Sequence, residues 1–334
     1  MILLTIAVPS YNSQETLRQC LDSMHDKRFV GRLEVIVVDD GSKDQTADIA
    51  REYVAREPGL FRLISKRNGG HGSGVNTGIE AAHGRYFRIV DSDDWVDPDG
   101  LAALLDAMET SSPDCFLDER IEVHTDENFI DHISLPQFAR TGEVIPFDEI
   151  CGKEYYRNIS MHALTARTEL LRSRNIKLLE HTFYVDMQYV IGVAAYAQTV
   201  YMLRHGVYCY RLGSAEQSVS YMNYVKNYKQ HDKVLKACAD FCIRRAEEMP
   251  EGREMYMRMM LTLLARTQFN IALIYNPDRR EGELQAKELD IYLSRHLPWL
   301  SRATRSRRIT AQLLHFFGVG YPQLQRLKAA AGRV

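Results

Sequence analysis

The first 97 residues alternate short apolar runs with segments of helical periodicity. The apolar runs have the length of strands and occupy residues 2–8, 33–38, 60–64 and 85–90. The intervening segments carry apolar residues at helical spacing, and Ser13 and Asp44 stand where N-caps of the first two helices are expected. Strands that alternate with helices of about ten to fifteen residues are typical of a parallel, doubly wound sheet. The alternation therefore predicts an α/β fold.

Each predicted strand ends in a cluster of polar residues. The clusters are Pro9-Ser10-Tyr11-Asn12, Asp39-Asp40-Gly41-Ser42, Asn68 to Asn76, and Asp91-Ser92-Asp93-Asp94. Ligands of open α/β sheets bind beyond the carboxyl ends of the strands, which is where these clusters fall. Ordinary loops would explain one such cluster, whereas four together favour a ligand site.

The last cluster contains two acidic residues spaced i, i+2. Asp91 and Asp93 follow an apolar run, so both carboxylates can point to the same side of the sheet edge. Such oxygen ligands suit Mg²⁺ or Mn²⁺. Taken alone, the motif is more typical of a solvated acidic turn. We expect a metal site here because of the three clusters that precede it.

Two nucleotide-binding motifs are missing from the sequence. No G-x-G-x-x-G follows the first strand and no G-x-x-x-x-G-K-[ST] occurs, which disfavours a dinucleotide dehydrogenase and a P-loop enzyme. The glycines between Asn68 and Gly74 come after the third strand instead. Glycine there allows close backbone approach to a ligand, or turns with positive φ.

Taken in order, these motifs resemble those of glycosyltransferase family 2. The matching pieces are Val8-Pro9-Ser10-Tyr11-Asn12, Val37-Val38-Asp39-Asp40-Gly41-Ser42 with Asp44 and Thr46, Asn68-Gly69-Gly70 through Asn76 and Gly78, and Asp91-Ser92-Asp93-Asp94. The resemblance is dense over residues 1–100 and thinner to residue 220. It implies a GT-A-type doubly wound, mostly parallel sheet flanked by helices, followed here by a C-terminal α-helical region.

The resemblance also implies a donor site. Pro9, Tyr11 and Asp40 would line the base and ribose pocket, with Asp40 accepting a hydrogen bond from uracil N3 of a UDP-sugar and Asp39 shaping the turn. The other donor-binding residues it predicts are Asn12, Gly70, Asn76, Asp91 and Ser92, and Asp91 and Asp93 would hold Mn²⁺ or Mg²⁺.

One position departs from the family pattern. Many members carry Arg before the Asn of the third motif, where this chain has Val75. Lys66, Arg67 and His71 are candidates to replace that Arg, and the donor sugar stays open.

The acceptor side is predicted further along the chain. The segment 180–189 resembles the late acidic motif of the family, and Asp186 would be the general base that removes a proton from the acceptor hydroxyl. Glu180 and His181 are alternative bases, and Asp186 is also typical of an acid at a helix N-terminus. Arg211, followed by residues 218–220, resembles the segment that borders the donor diphosphate. A surface salt bridge is the alternative for Arg211.

These assignments predict a division of the chain. Residues 1–220 would form the glycosyltransferase domain, with a donor half over 1–97 and an acceptor half over 98–220. Within the acceptor half we expect a loop or hairpin over residues 124–150. Residues 221–334 carry apolar residues at helical spacing and would form a helical region, which is also a candidate interface for a homo-oligomer.

The end of the chain has an unusual charge pattern. Residues 291–334 contain eight Arg and Lys residues and no Asp or Glu, although the whole chain has a net charge of −2. Apolar side chains, among them Leu313, Phe316 and Phe317, are interleaved with those charges. This basic amphipathic tail, from residue 295 to residue 334, predicts peripheral contact with an anionic membrane. The alternative is that the tail packs on the acidic remainder of the chain.

Composition sets the remaining expectations. No apolar stretch is long enough to span a bilayer, Met1 leads directly into a strand, and the six cysteines show no close pairing. We therefore expect a cytoplasmic protein, with the basic tail on the inner face of the membrane and no nucleic-acid partner.

The resulting hypothesis is an inverting, metal-dependent glycosyltransferase. It would transfer a sugar from a nucleotide-sugar, with UDP-sugars favoured, to a saccharide or lipid-linked saccharide in cell-surface polysaccharide biosynthesis. The alternatives are a polyprenyl-phosphate sugar transferase and a catalytically silent nucleotide-binding module. A processive synthase is disfavoured because the chain has no Q-x-x-R-W string.

Overall fold

The computed structural model describes residues 1–126, 128–155, 157–213, 220–250 and 252–330. The chain forms two compact units, the first from Met1–Ser214 with Glu247–Arg253 and the second from Ala215–Ala246 with Glu254–Val334. The functional division into donor half, acceptor half and helical region stays a prediction.

The first unit is built on one sheet of ten strands. The strands are β1 (Leu4–Ser10), β2 (Leu33–Asp39), β3 (Phe61–Ser65), β4 (Tyr86–Ile89), β5 (Trp95–Val96), β6 (Cys115–His124), β7 (Phe129–Ile133), β8 (Val144–Pro146), β9 (Leu164–Arg167) and β10 (Thr199–Leu212). The helices of this unit are α1 (Leu17–Ser23), α2 (Thr46–Arg56), α3 (His71–Ala81), α4 (Pro98–Thr110), α5 (Thr168–Ser173) and α6 (Asp186–Tyr196).

The strand order is β3-β2-β1-β4-β9-β6-β10-β5, with β7 and β8 paired to β6 and β10. The four strands β3, β2, β1 and β4 run parallel, and Val8 of β1 pairs with Val37 of β2. Strand β9 then pairs antiparallel with β4 and β6, which makes the sheet mixed. The predicted α/β class is confirmed. Strands β6 and β7 pair antiparallel, so a hairpin begins the segment 124–150.

The parallel strands form the centre of the core. Every residue of β1 and β2 is buried, as expected for strands covered on both faces. Leu17 and Leu21 of α1, Tyr53 of α2 and Leu104 of α4 belong to the same buried cluster. This packing holds the carboxyl ends of β1, β2 and β4 side by side.

Neither predicted cap residue is the N-cap of its helix. Gln45 is the N-cap of α2, so the prediction for Asp44 is wrong, although its carboxylate accepts a hydrogen bond from the N–H of Thr46, the first residue of α2, at 3.0 Å. The prediction for Ser13 is wrong, because α1 begins at Leu17 with Thr16 at its N-cap. The hydroxyl of Ser13 bonds instead with that of Ser92, at 2.7 Å between the oxygens. The Ser13 hydroxyl, which an N-cap would use within its own helix, thus contacts a residue that is distant in the sequence.

A buried ion pair joins three strands next to the acidic turn. Arg88 of β4 and Asp118 of β6 both have no exposed surface. The guanidinium of Arg88 donates to both carboxylate oxygens of Asp118, to the hydroxyl of Thr165 on β9 at 2.9 Å, and to the carbonyl of His162. The pair therefore links the strand that leads to Asp91 with the turn that carries His162.

The second unit is helical in its described residues. Its helices are α7 (Tyr221–Lys226), α8 (Tyr228–Arg245), α9 (Arg253–Asn270), α10 (Arg279–His296), α11 (Pro298–Phe316) and α12 (Tyr321–Ala330), with a π-helical turn at Ile271–Tyr275. Buried apolar residues of this unit include Tyr256, Phe269, Leu293 and Leu300. None of the described helices combines the length and the apolarity that crossing a bilayer requires.

Candidate active site

The glycine-rich loop is anchored on Asp40, which follows β2 and is buried. One carboxylate oxygen of Asp40 accepts hydrogen bonds from Lys66 Nζ at 2.8 Å and from the N–H of Gly69 at 2.9 Å. The other accepts from the N–H of Gly70 at 2.7 Å. Charge-assisted bonds of this kind are stronger than neutral ones. In this conformation Asp40 organises the loop, and its contact with a base stays a prediction.

Two loops at the ends of β1 and β2 are tied together beside it. Asn12 has a φ of 52°, and its Oδ1 accepts from the N–H of Lys43 at 2.9 Å. Asp39 is buried and accepts from the N–H of Ser42 at 3.0 Å, which fits the predicted role in shaping the turn. Tyr11 lies between these contacts with 49% of its surface exposed. Its ring is therefore accessible to a planar base.

Helix α3 contributes two further predicted residues. Gly70 precedes its first residue with a φ of 82°. The side-chain amide of Asn76 donates to the carbonyl of Leu178 and accepts from the N–H of Leu178, both at 2.9 Å. Asn76 thus holds the chain that leads to α6 against α3. Pro9 is buried at the end of β1, beneath the loop.

The acidic turn after β4 is paired with a histidine. Nε2 of His71, the first residue of α3, lies 2.7 Å from Oδ1 of Asp91. Burial by itself would raise the pKa of Asp91, but the neighbouring imidazole lowers it below the usual value. Burial likewise opposes protonation of His71, yet the charges of Asp91, Asp186 and Asp93 raise its pKa. The carboxylates around His71 therefore stabilise its protonated form.

Asp93 and Asp94 occupy different environments in the same turn. Asp93 is exposed and lies in the same turn as Asp91. Asp94 is buried and accepts from the hydroxyl of Tyr208 at 2.5 Å and from the N–H of Arg211 at 2.7 Å. Burial raises the pKa of Asp94 well above its usual value.

The predicted residues Arg211 and Ser92 support this turn. Arg211 Nε donates to the carbonyl of Asp93 at 2.8 Å, and the guanidinium lies 5.0 Å from the centre of the Trp95 ring. Ser92 is buried, and its hydroxyl is bonded to that of Ser13. In this structure both residues hold the acidic turn in place. Residues 218 and 219, which the resemblance associated with Arg211, lie outside the described residues.

A histidine that the sequence analysis did not name completes this cluster. In the described residues, one group of metal-ligating side chains brings Asp91, Asp94 and His162 together, with donor atoms within 4.8 Å of one another. The His162 ring stacks on Tyr210 with centroids 4.4 Å apart, and burial lowers the pKa of His162 to about 4. The imidazole is therefore neutral at pH 7, as a metal ligand must be. No motif surrounds His162 in the sequence, so only the folded chain reveals it.

The donor set fits a divalent cation. Asp91 and Asp94 offer carboxylate oxygens, Asp93 lies in the same turn, and His162 offers a neutral ring nitrogen. Carboxylates suit Mg²⁺ and Mn²⁺, and an added imidazole suits transition metals.

Asp186 is the first residue of α6 and is half-buried. His181 and Tyr184, which precede it, both have positive φ values, 50° and 66°. Such a backbone is uncommon outside glycine and is often found at functional sites. Burial raises the pKa of Asp186, and His71 and Asp91 are close enough to act on it electrostatically. The fold therefore brings Asp186 to the acidic turn across a long separation in sequence.

The sequence of this chain matches known proteins. Residues 5–170 match the model described as Glycosyl transferase family 2. The chain is 41% identical over 95 residues to the putative glycosyltransferase EpsH of Bacillus subtilis, which covers 28% of this chain and 27% of EpsH. It is 24% identical over 344 residues to the succinoglycan biosynthesis protein ExoO of Rhizobium meliloti, covering 98% and 93% of the two chains. The chain thus spans about a quarter of the length of EpsH.

Solved structures share the fold. Residues 1–349 of S. aureus TarS in complex with UDP-GlcNAc align with a TM-score of 0.65 at 18% identity, over 96% of this chain and 93% of that one. The mannosyltransferase PcManGT of Pyrobaculum calidifontis, in complex with GDP-Man and Mn²⁺, aligns with a TM-score of 0.51 at 16% identity, over 94% and 87%. At these identities the likeness shows the fold.

The mixed sheet and the flanking helices have the GT-A-type fold of these structures. Residues 5–170 belong to glycosyl transferase family 2, as the resemblance of the motifs predicted.

Proposed function

We propose that this chain transfers a sugar from a nucleotide-sugar, with UDP-sugars favoured, to a saccharide acceptor in cell-surface polysaccharide biosynthesis, with inversion at the anomeric carbon. The observation that carries the proposal is the convergence of Asp91, His71 and Asp186, from three separate elements, in one electrostatically coupled cluster. The UDP-GlcNAc in the TarS structure supports the donor class, and the name of ExoO supports the polysaccharide context.

The donor diphosphate would be held at the acidic turn. Asp91 and Asp93, supported by Asp94 and His162, are the residues that would hold Mn²⁺ or Mg²⁺. A divalent cation bound there would neutralise the negative charge that grows on the leaving nucleoside diphosphate. The carboxylates around His71 favour its protonated form, which would add a positive charge beside Asp91. Many members of the family use an Arg at the position of Val75 to hold the phosphates or the sugar of the donor, and we assign this role to His71 here.

The acceptor would be activated by Asp186. A sugar hydroxyl is a poor nucleophile at neutral pH, and a positioned carboxylate can take its proton as the new bond forms. A carboxylate oxygen of Asp186 accepts that proton while the acceptor oxygen attacks the anomeric carbon. The bond from that carbon to the diphosphate oxygen breaks on the opposite face, which inverts the configuration.

Calorimetric titration tests the donor site. UDP and GDP are titrated with and without Mn²⁺ into the wild type, Asp93→Ala, and the control Asp48→Ala, whose carboxylate lies on the exposed side of α2. We expect UDP to bind in a metal-dependent manner to the wild type and the control, and Asp93→Ala to lose that binding. Absence of binding of either nucleotide to the folded wild type would reject the proposal.

The acceptor class is tested separately. The purified protein is given labelled donor with soluble saccharides or with a polyprenyl phosphate, and the label is measured in the aqueous and organic phases. We expect label in the saccharide. Exclusive transfer to the polyprenyl phosphate would contradict the proposed acceptor and leave the donor site intact. The predicted cytoplasmic location stays a prediction.

A further inference from the structure

Helix α11 exposes a mixed basic and apolar face. Ile309, Leu313 and Phe316 are 43%, 54% and 75% exposed, and Phe317, the next residue, is 73% exposed. Side chains of this size are usually found singly at a protein surface, whereas here they follow one another along one helix. They form a continuous apolar surface.

Helical geometry places two arginines on the same face. Successive residues of a helix are rotated by about 100° around its axis. On this basis a sector of about 80° of the helix surface contains Arg302, Arg305, Ile309, Leu313 and Phe316. Both arginines are exposed. We call these five residues and Phe317 the α11 face.

The opposite side of α11 packs inside its own unit. Leu300, Thr304, Ala311 and His315 are buried, and they lie on the side of the helix away from the α11 face. Arg308, at the flank, is paired with Asp290 of α10. The intramolecular packing of α11 therefore uses one side of the helix and leaves the α11 face to solvent.

We propose that the α11 face docks on an anionic lipid bilayer. An interfacial helix buries apolar side chains at the level of the headgroups while its basic residues pair with lipid phosphates. Residues 291–334 contain no Asp or Glu, so the segment offers no carboxylate of its own to these arginines. Long side chains such as Arg can also extend toward the headgroups while their stems cover apolar surface.

A second copy of the chain fits this face less well. Pairing two α11 faces would remove Arg302 and Arg305 from water without a carboxylate from residues 291–334 of either copy, which costs free energy. At a bilayer surface the phosphates supply the missing counter-charge. The charge of the α11 face therefore favours lipid as its occupant.

Co-sedimentation with lipid vesicles tests the proposal without donor or acceptor, so a failed sugar transfer does not affect the result. The full chain is mixed with vesicles of phosphatidylcholine and phosphatidylglycerol, or of phosphatidylcholine alone, at low and high salt. We expect binding to the anionic vesicles that weakens with salt. Replacing Arg302 and Arg305 with Gln should weaken binding on the order of 30-fold, since each basic residue near an anionic surface contributes about 1 kcal/mol. Phe316→Ser combined with Phe317→Ser should weaken it by about tenfold or more.

The control is Phe138→Ser, which removes an aromatic side chain of the first unit that is 67% exposed. This variant should bind as the wild type does. The proposal is overturned if the wild type stays in solution with anionic vesicles at low salt, or if both double variants bind unchanged. It is also overturned if the wild type forms a dimer in the absence of lipid that Phe316→Ser with Phe317→Ser dissociates, because the face would then belong to a second copy.

Discussion

Removing the carboxylate from the buried pair of Arg88 and Asp118 should destabilise the first unit strongly. Both side chains are fully buried, and both carboxylate oxygens of Asp118 accept hydrogen bonds from the guanidinium. Burial raises the pKa of Asp118 to about 6, so the pair is ionised at pH 7.5. Asp118→Asn keeps the volume of the side chain and leaves a buried cation without its counter-charge. Breaking such a pair costs about 3–5 kcal/mol, which corresponds to a decrease in Tm of about 10 °C for a unit of this size.

Urea and thermal unfolding followed by circular dichroism measure the effect. In the double variant Arg88→Met with Asp118→Leu both charges are gone, so we expect much of the lost stability to return. The exposed pair Arg18 and Glu52 is the control, because solvent screens an exposed ion pair and Glu52→Gln should cost much less stability than Asp118→Asn. If Asp118→Asn costs no more than Glu52→Gln, or if the double variant is no more stable than Asp118→Asn, the electrostatic reasoning is wrong.

Three further perturbations test the site and the helical unit. Asp186→Asn should lower kcat by about 10²–10⁴ while nucleotide affinity in calorimetry stays near that of the wild type, because only the proton acceptor is removed. Near-normal turnover would exclude Asp186 as the base. Burial lowers the pKa of His231 to about 4, below its ordinary value, so protonation favours the unfolded chain. Relative to His231→Gln, the wild type should lose about 2 kcal/mol of stability between pH 7 and pH 5 in urea titrations, and parallel pH profiles would contradict this. Gly72→Ala should cost about 1–3 kcal/mol in thermal unfolding, because its Cβ would lie 2.2 Å from the carbonyl oxygen of Leu179; an unchanged Tm would contradict this.

Two controls sharpen these measurements. The chain has two tryptophans, Trp95 and Trp299, so Trp299 fluorescence in a Trp95→Phe background follows the helical unit in the experiment on His231. Gly59→Ala is the matched control for Gly72→Ala, because an added Cβ at Gly59 would meet one side-chain atom of Glu57 at 3.9 Å. That control should unfold as the wild type does.

Local patterns predicted the elements of the donor half well. The apolar run 33–38 became β2 (Leu33–Asp39), and the helix expected after Asp44 became α2 (Thr46–Arg56). Alternation and helical periodicity act over a few residues, so they can be read without knowledge of the rest of the chain. The prediction for Ser13 was wrong because its hydroxyl bonds with Ser92, 79 residues away.

The amino-acid sequence by itself determined the α/β class, the polar clusters at the strand ends and the family, since each depends on short-range pattern or on a set of motifs. The tertiary structure alone decided which side chains meet, namely His71 with Asp91, and His162 with Asp91 and Asp94. It also brought Asp186 within electrostatic reach of His71 and Asp91. It also decided that β9 enters the sheet antiparallel between β4 and β6. These contacts join residues that are far apart in the chain. They form because burial of the core fixes the order of the strands, and no local sequence pattern encodes that order.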